Sequence, residues 1–224
     1  MRSYDVDNDM QSMRILWIGA HPDDELFVAP YLGAMFERGA TIGFFVATRG
    51  EWGPCYRPEG CEPDLATVRE QEMRAAAALF GGEVTFGDCP DGSGGTPELV
   101  LAAWGAKRAR FAAAVEAFAP DEIVTLDPHR SGHADHMAVG RIVTALDVRA
   151  PVVLAESRPS WRAPMTITPA VENAEAFEAK AHWHWLIRDL ECHRSQMRPG
   201  TIAAFAGTPD EQKKVWLLRS FGTG

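Results

Sequence analysis

Positive charge is in deficit. Lys and Arg number 22 against 31 Asp and Glu, a formal net charge of −9. That balance argues against a nucleic-acid backbone or an anionic membrane surface as the main partner. No apolar run approaches the length of a membrane span. Residues 1–13 are polar and acid-rich, without the apolar core of a signal peptide. The four cysteines (Cys55, Cys61, Cys89, Cys192) lack CxxC spacing, which speaks against a zinc knuckle or a disulfide scaffold. A cytoplasmic, reduced protein is therefore expected. Internal repeats, low-complexity tracts and linkers are also missing. What remains is an ordinary globular composition, 46% hydrophobic and 24% charged over 224 residues. One domain spanning 1–224 is expected, with 1–13 as a loose lead-in. Oligomeric state is not readable.

Apolar runs and helical periodicities alternate. Ile15-Leu16-Trp17-Ile18-Gly19 reads as a buried strand within 14–20, and Leu26, Ala29, Leu32, Met35 and Phe36 set a helix over 25–38. Strands follow at 41–48, 83–86, 121–127 and 151–155. Helices are expected at 65–80, from Pro97 to Phe118, at 134–147 and from Asn173 to Arg198. Five β/α alternations indicate an α/β fold: a three-layer, Rossmann-like, doubly wound and mostly parallel sheet. No G-x-G-x-x-G follows the first strand, so a dinucleotide site is not expected.

Chemistry concentrates where the first strand gives way to its helix, in Ala20-His21-Pro22-Asp23-Asp24-Glu25. In such sheets that turn lies at the carboxyl edge, where ligands bind. His21 and Asp24 are three residues apart, so one helical turn aims an imidazole nitrogen and a carboxylate oxygen at one point. Asp23 projects differently and can stay unligated beside a metal-bound water. Acidic residues also cap helix N-termini. Capping accounts poorly for the histidine and anticipates no second cluster.

A second cluster exists. The fourth strand ends in Asp127-Pro128-His129-Arg130-Ser131-Gly132-His133-Ala134-Asp135-His136. Neighbouring parallel strands would bring the two turns together. His136 then joins His21 and Asp24 in a two-His, one-carboxylate set with an open position, a catalytic rather than a structural pattern. His133 is placed to face the substrate as an electrophile. Asp135 is expected to hold its imidazole and keep it protonated near neutrality. His129 is an alternative to these histidines. By contrast His182 and His184, two apart on a helix, face different sides.

These two motifs resemble the signatures of the LmbE-like (PIG-L) zinc-dependent deacetylases. Thr48-Arg49-Gly50-Glu51, Arg69 with Glu72, and Ser195-Gln196 fit the resemblance more loosely. It implies zinc on His21, Asp24 and His136, and Asp23 as general base. It further implies His133 as the oxyanion-stabilising group, tuned by Asp135. Arg69 matches a position that contacts the sugar or its anionic appendage. Asp91 is a weaker match to an acid that binds sugar hydroxyls, with Asp88 competing. Two departures stand out: Ala134 where Pro is usual, and the Cys-bearing segment 54–63, which finds no match and is expected to shape substrate choice.

The implied reaction removes an N-acetyl group from an N-acetylglucosamine-type sugar or glycoconjugate, releasing acetate and amine. Zinc, or iron in the cell, would serve as cofactor. Arg49 and Arg69, with Trp52 and Trp161, hint at a sugar with a charged or aromatic attachment. Beside Arg69 and Glu72 stands a plain alternative, an exposed intrahelical salt bridge worth roughly 0.2–0.5 kcal/mol. A metal-dependent amidase acting on thiol conjugates or antibiotic-like metabolites is the nearest rival. A non-catalytic Rossmann-like binding module is the rival of another class, and it has no need of Asp23 and His133 together.

Overall fold

The alternation resolves into a seven-stranded sheet with flanking helices in the computed structural model, which describes residues 13–92, 95–155 and 175–219. The lead-in up to residue 12, the Pro159–Pro169 stretch with Trp161, and the expected helix start at Asn173 lie outside the described residues. Strands β1 (Arg14–Gly19), β2 (Thr41–Val46), β3 (Val84–Phe86), β4 (Glu122–Leu126) and β5 (Val152–Ala155) run parallel in the order β3-β2-β1-β4-β5. β1 and β4 are almost wholly buried and mostly apolar, as strands covered on both faces require, with Glu122 and Thr125 the buried polar residues of β4.

Helices fall into two groups. α1 (Ala29–Glu37) and α2 (Leu65–Leu79) pack with α6 (Trp183–Cys192), while α3 (Pro97–Trp104) and α4 (Arg108–Phe118) pack with α5 (Ala134–Thr144). Gly140 sets how closely α5 approaches β4. A Cβ there would stand 2.4 Å from the Leu126 carbonyl oxygen and 2.8 Å from the Pro128 nitrogen. This contact fixes α5, and the residues of its first turn, against the end of β4. No helix among the described residues is long and apolar enough to cross a membrane.

Three elements differ from expectation. The first helix starts as a 3₁₀ turn, Asp24–Phe27, before α1. The single helix expected from Pro97 breaks into α3, a 3₁₀ turn at Gly105–Lys107, and α4. Trp104 is fully buried there and its indole N–H donates to the Pro90 carbonyl (2.8 Å), and the poorly helical Gly105 follows it. The long last helix gives way to β6 (Glu175–Glu178) and the shorter α6. β6 pairs antiparallel with β7 (Lys214–Arg219), which itself lies antiparallel beside β5. Pairing with a distant strand overrides the helical periodicity of 175–178. A short α7 (Thr201–Ala206) precedes β7.

The cysteine reading is also corrected. Cys55 and Cys61 form a disulfide with Cα atoms 6.2 Å apart, so the expectation of a fully reduced chain does not hold. Cys89 and Cys192 remain free.

Candidate active site

β1 and β4 are neighbours, with Ile15 opposite Glu122 and Ile18 opposite Thr125. Strand order reverses between them, so the loops leaving their carboxyl ends open side by side at a switch point. The loop 20–25 brings His21, Asp23 and Asp24, and the loop before α5 brings His133 and His136. Together with Arg69 and Asp91 they line a cavity of about 320 Å³, rimmed by Trp52, Pro54 and Gln196.

Asp24 is anchored from within. Its Oδ2 accepts hydrogen bonds from the backbone N–H groups of Ala20 (2.9 Å) and His21 (2.8 Å). Oδ1 then points at His136 Nε2, 2.9 Å away, while His21 Nδ1 stands 3.6 Å from Oδ2. The other His136 nitrogen, Nδ1, is 3.0 Å from Ser131 Oγ, which also accepts the His133 backbone N–H (3.1 Å). Ser131 thus holds both His133 and His136. Its importance was not drawn from the sequence, although a hydroxyl residue just ahead of His-x-x-His is the available signal. The rings of His21 and His133 meet edge to face at 4.7 Å, and those of His133 and His136 stack at 4.8 Å.

Asp23 takes a left-handed backbone conformation (φ 96°), which Asp tolerates better than most residues. The carboxylate is held by Arg69 Nη2 at 3.0 Å. Arg69 also donates to the carbonyls of Gly50 (2.9 Å) and Pro22. Gly50 is required here: its φ is +67°, and a Cβ would lie 2.2 Å from the Arg69 guanidinium. Arg69 and Glu72 are both buried and do not form the exposed salt bridge weighed above. Glu72 instead accepts from Arg57 (2.7 Å) and from Ser195 N and Oγ (2.8 and 2.5 Å).

Several assignments change. Asp135 is fully buried, but its Oδ2 meets His21 Nε2 (3.0 Å) and the Gly92 N–H (2.8 Å) instead of the imidazole of His133. The cause is position in α5: its first turn carries Asp135 under the first loop, away from His133. His133 Nδ1 has no partner among the described residues. Arg49 turns outward and pairs with Glu70 of α2 at 2.8 Å, leaving the cavity to Arg69. Asp91 does line the cavity: Oδ1 is 3.7 Å from His21 Nε2, and Oδ2 accepts the Trp52 N–H (3.1 Å). Asp88 lies outside it in an exposed ion pair with Arg110, and His129 is also outside.

Burial and charge shift the titrations. Burial opposes the His21 imidazolium, but Asp135, Asp24 and Asp91 outweigh it and raise its pKa well above the usual value. Burial also pushes Asp24 up, and the imidazoles of His136 and His21 reverse this to leave it well below the carboxylate range. For Asp23, burial raises the pKa against the opposing pull of Arg69. His133 is driven down to about 4 by burial and by the neighbouring His21 and His136. This direction runs against the raised pKa expected for it.

The donor set suits a divalent ion. His21 offers imidazole nitrogen to the cluster, and atoms of His21, His133 and His136 all lie within 4.8 Å of one another. Asp24 Oδ1 lies 2.9 Å from His136 Nε2, with its other oxygen committed to backbone N–H groups, and His21 also forms a second group of this kind with Asp91 and Asp135. Mixed imidazole and carboxylate ligands of this kind suit zinc or iron.

Fold and site thus define an α/β protein with a histidine- and aspartate-lined pocket at a sheet switch point. The chain belongs to the PIG-L family, described as GlcNAc-PI de-N-acetylase, whose model matches residues 16–146. It is 31% identical over 157 residues to the 1D-myo-inositol 2-acetamido-2-deoxy-alpha-D-glucopyranoside deacetylase of Mycolicibacterium vanbaalenii, an alignment covering 61% of this chain and 55% of the relative. The chain spans little more than half the length of the first such relatives. Among solved structures, the N,N'-diacetylchitobiose deacetylase of Pyrococcus horikoshii superposes with TM-score 0.69 at 14% identity, covering 97% of this chain and 87% of that one. The 4-carboxy-2-hydroxymuconate hydratase of Pseudomonas putida superposes with TM-score 0.67 at 15% identity, covering 95% and 98%. These two likenesses establish the fold alone, and the second belongs to a protein of different chemistry.

Proposed function

We propose that this chain hydrolyses the N-acetyl group of an N-acetylglucosamine-type sugar or glycoconjugate. Water adds to the amide carbonyl, the C–N bond breaks, and acetate and a free amine leave. The observation that carries this reading is one cavity that gathers the imidazoles of His21, His133 and His136, the Asp24 carboxylate 2.9 Å from His136, and a further carboxylate, Asp23, paired with Arg69.

A divalent ion held by His21, Asp24 and His136, zinc or iron, would supply Lewis acidity to the carbonyl and acidity to the attacking water. Asp23 accepts the proton of that water and later delivers it to the departing amine. Arg69 keeps the Asp23 carboxylate turned into the cavity. His133, held by Ser131 through its backbone, donates a ring N–H to the carbonyl oxygen as charge develops there. Asp135 orients His21. Asp91 faces the cavity where sugar hydroxyls would bind, and Trp52, 74% exposed at the rim, offers an aromatic face to what lies beyond the sugar. The small-molecule substrate, the ion and the role of each residue stand or fall together with this reading.

The test is acetate release from a panel of N-acetylated amino sugars, sugar conjugates, peptides and thiol conjugates, with and without a chelator. Release from the sugars that chelator abolishes supports the proposal. Release only from peptides or thiol conjugates would favour the amidase, and no release from any substrate would favour a binding module.

A further inference from the structure

A second group of ionisable side chains lies beneath the first loop, outside the cavity. Glu25, Asp189 and His193 are each fully buried. His193 sits just past the C-terminal end of α6, and its Nε2 contacts Oε1 of Glu25 in a close hydrogen bond. The same nitrogen is 3.6 Å from Asp189 Oδ1. Glu25 uses its other oxygen, Oε2, to accept the backbone N–H of Asp23 at 3.3 Å. A continuous chain of contacts therefore runs from α6 to the peptide of Asp23.

We propose that His193 is a positioning residue for the Asp23 carboxylate, acting through Glu25. The proposal rests on the reading of Asp23 as the proton acceptor. Asp23 is one of three described non-glycine residues with positive φ, and such a conformation persists only where its surroundings hold it. On the carboxylate side the hold is Arg69. On the backbone side it is Glu25 Oε2, and that carboxylate is fixed in turn by His193. Without the imidazole, Glu25 is free to rotate, the Asp23 peptide loses its acceptor, and the side chain turns out of line with the cavity.

Two alternatives are weaker. As a metal site the cluster is less well placed, because it lies outside the cavity and His193 Nε2 and Glu25 Oε1 already satisfy each other in a hydrogen bond. As inert packing it fails on cost, because Asp189 has two buried oxygens without a hydrogen-bond partner and His193 a similar Nδ1. Charge is consistent with the positioning role. Burial opposes protonation of His193, but Glu25, Asp189 and Asp23 outweigh it and push its pKa up to about 9. Burial, with Glu25, raises Asp189 well above the carboxylate range. The geometry agrees with this direction: the imidazole donates to Glu25 and lies 3.6 Å from Asp189.

The same turn braces the other walls. Ser195 holds Glu72 on α2, and Gln196 Nε2 donates to the Pro54 carbonyl at the rim (2.9 Å). His193 is the member of this turn that reaches the first loop.

The experiment compares wild type with His193→Phe and His193→Gln. Its readouts are hydrogen exchange at the Asp23 amide, divalent ions bound per chain, and kcat and KM for acetate release. The wild-type imidazole ¹⁵N spectrum is recorded as well. In His193→Phe, Asp23 exchange should rise about 10-fold or more as its hydrogen bond opens. The ion should be retained, and kcat should fall roughly 10–100-fold with KM little changed. His193→Gln, which keeps a donor toward Glu25, should recover much of both. The wild-type spectrum should show both His193 nitrogens protonated at pH 7.5. Unchanged exchange at Asp23, equal damage in both variants, or a bare Nε2 in wild type each overturns the proposal. Should His193→Phe fail to fold, the wild-type spectrum and His193→Gln decide. If wild type releases no acetate, the proposed activity fails, while exchange at Asp23 still tests the contact chain.

Discussion

Nε2 of His136 and Oδ1 of Asp24 lie 2.9 Å apart, although one opens the helix after β4 and the other belongs to the loop after β1. Two backbone N–H groups fix the carboxylate and Ser131 fixes the imidazole. Donor groups held this firmly from behind would lose little freedom in closing on an ion. Ser131→Ala should therefore weaken divalent-ion affinity by about 10–100-fold without unfolding the chain. Competition against a chromogenic chelator measures it, and wild-type affinity in the variant would count against the assigned role.

Asp23 tests the chemistry apart from the ion. Asp23→Asn removes the proposed proton acceptor while leaving His21, Asp24 and His136 intact. Turnover should fall by about 10²–10⁴, with the bound ion unchanged by elemental analysis. Full activity in the variant would show that another group takes the proton.

The disulfide ties down the rim. Cys55 and Cys61 close a loop that follows directly on Trp52, Gly53 and Pro54, all cavity-lining. A loop this short contributes about 2 kcal/mol in the chain-entropy account. The paired Cys55→Ser, Cys61→Ser variant should lose roughly that much by urea unfolding, and KM for the sugar should rise more than kcat falls. Equal stability of the two proteins would show that the bond constrains nothing.

His193 gives stability a pH dependence of known sign. Its pKa in the folded chain, about 9 against an ordinary 6.5, is raised by Glu25, Asp189 and Asp23 in spite of burial. The imidazolium's contribution is then complete below pH ~6.5, declines between there and ~9, and is absent above it. Its size is about 3 kcal/mol. In urea unfolding at pH 6, 8 and 10, the stability advantage of wild type over His193→Gln should shrink as pH rises. An advantage independent of pH would mean that His193 is not charged in the folded chain.

The residues proposed to bind the ion could be picked out in the sequence because each follows a strand, in a short motif whose spacing is local. Parallel β/α alternation then placed β1 and β4 close enough for the two motifs to meet. What sequence could not show depended on distant packing. Asp135 turns to His21 instead of His133 because of how α5 seats against β4. Arg49 and Arg69 differ in destination because Gly50 reverses the chain and Arg69 fills the space its missing side chain leaves. Glu25 and His193 are far apart in sequence, and nothing local to either announces their pairing. β6 reads as helix until β7 supplies its partner.

The central claim is that His21, Asp24 and His136 hold one divalent ion between them. Elemental analysis after equilibration with a single equivalent of zinc or iron(II), then desalting, tests it most directly. The account predicts about one ion per chain in wild type, Asp23→Asn and His133→Ala, and almost none in His21→Ala, Asp24→Ala or His136→Ala. A folded His136→Ala that keeps its full equivalent would contradict it.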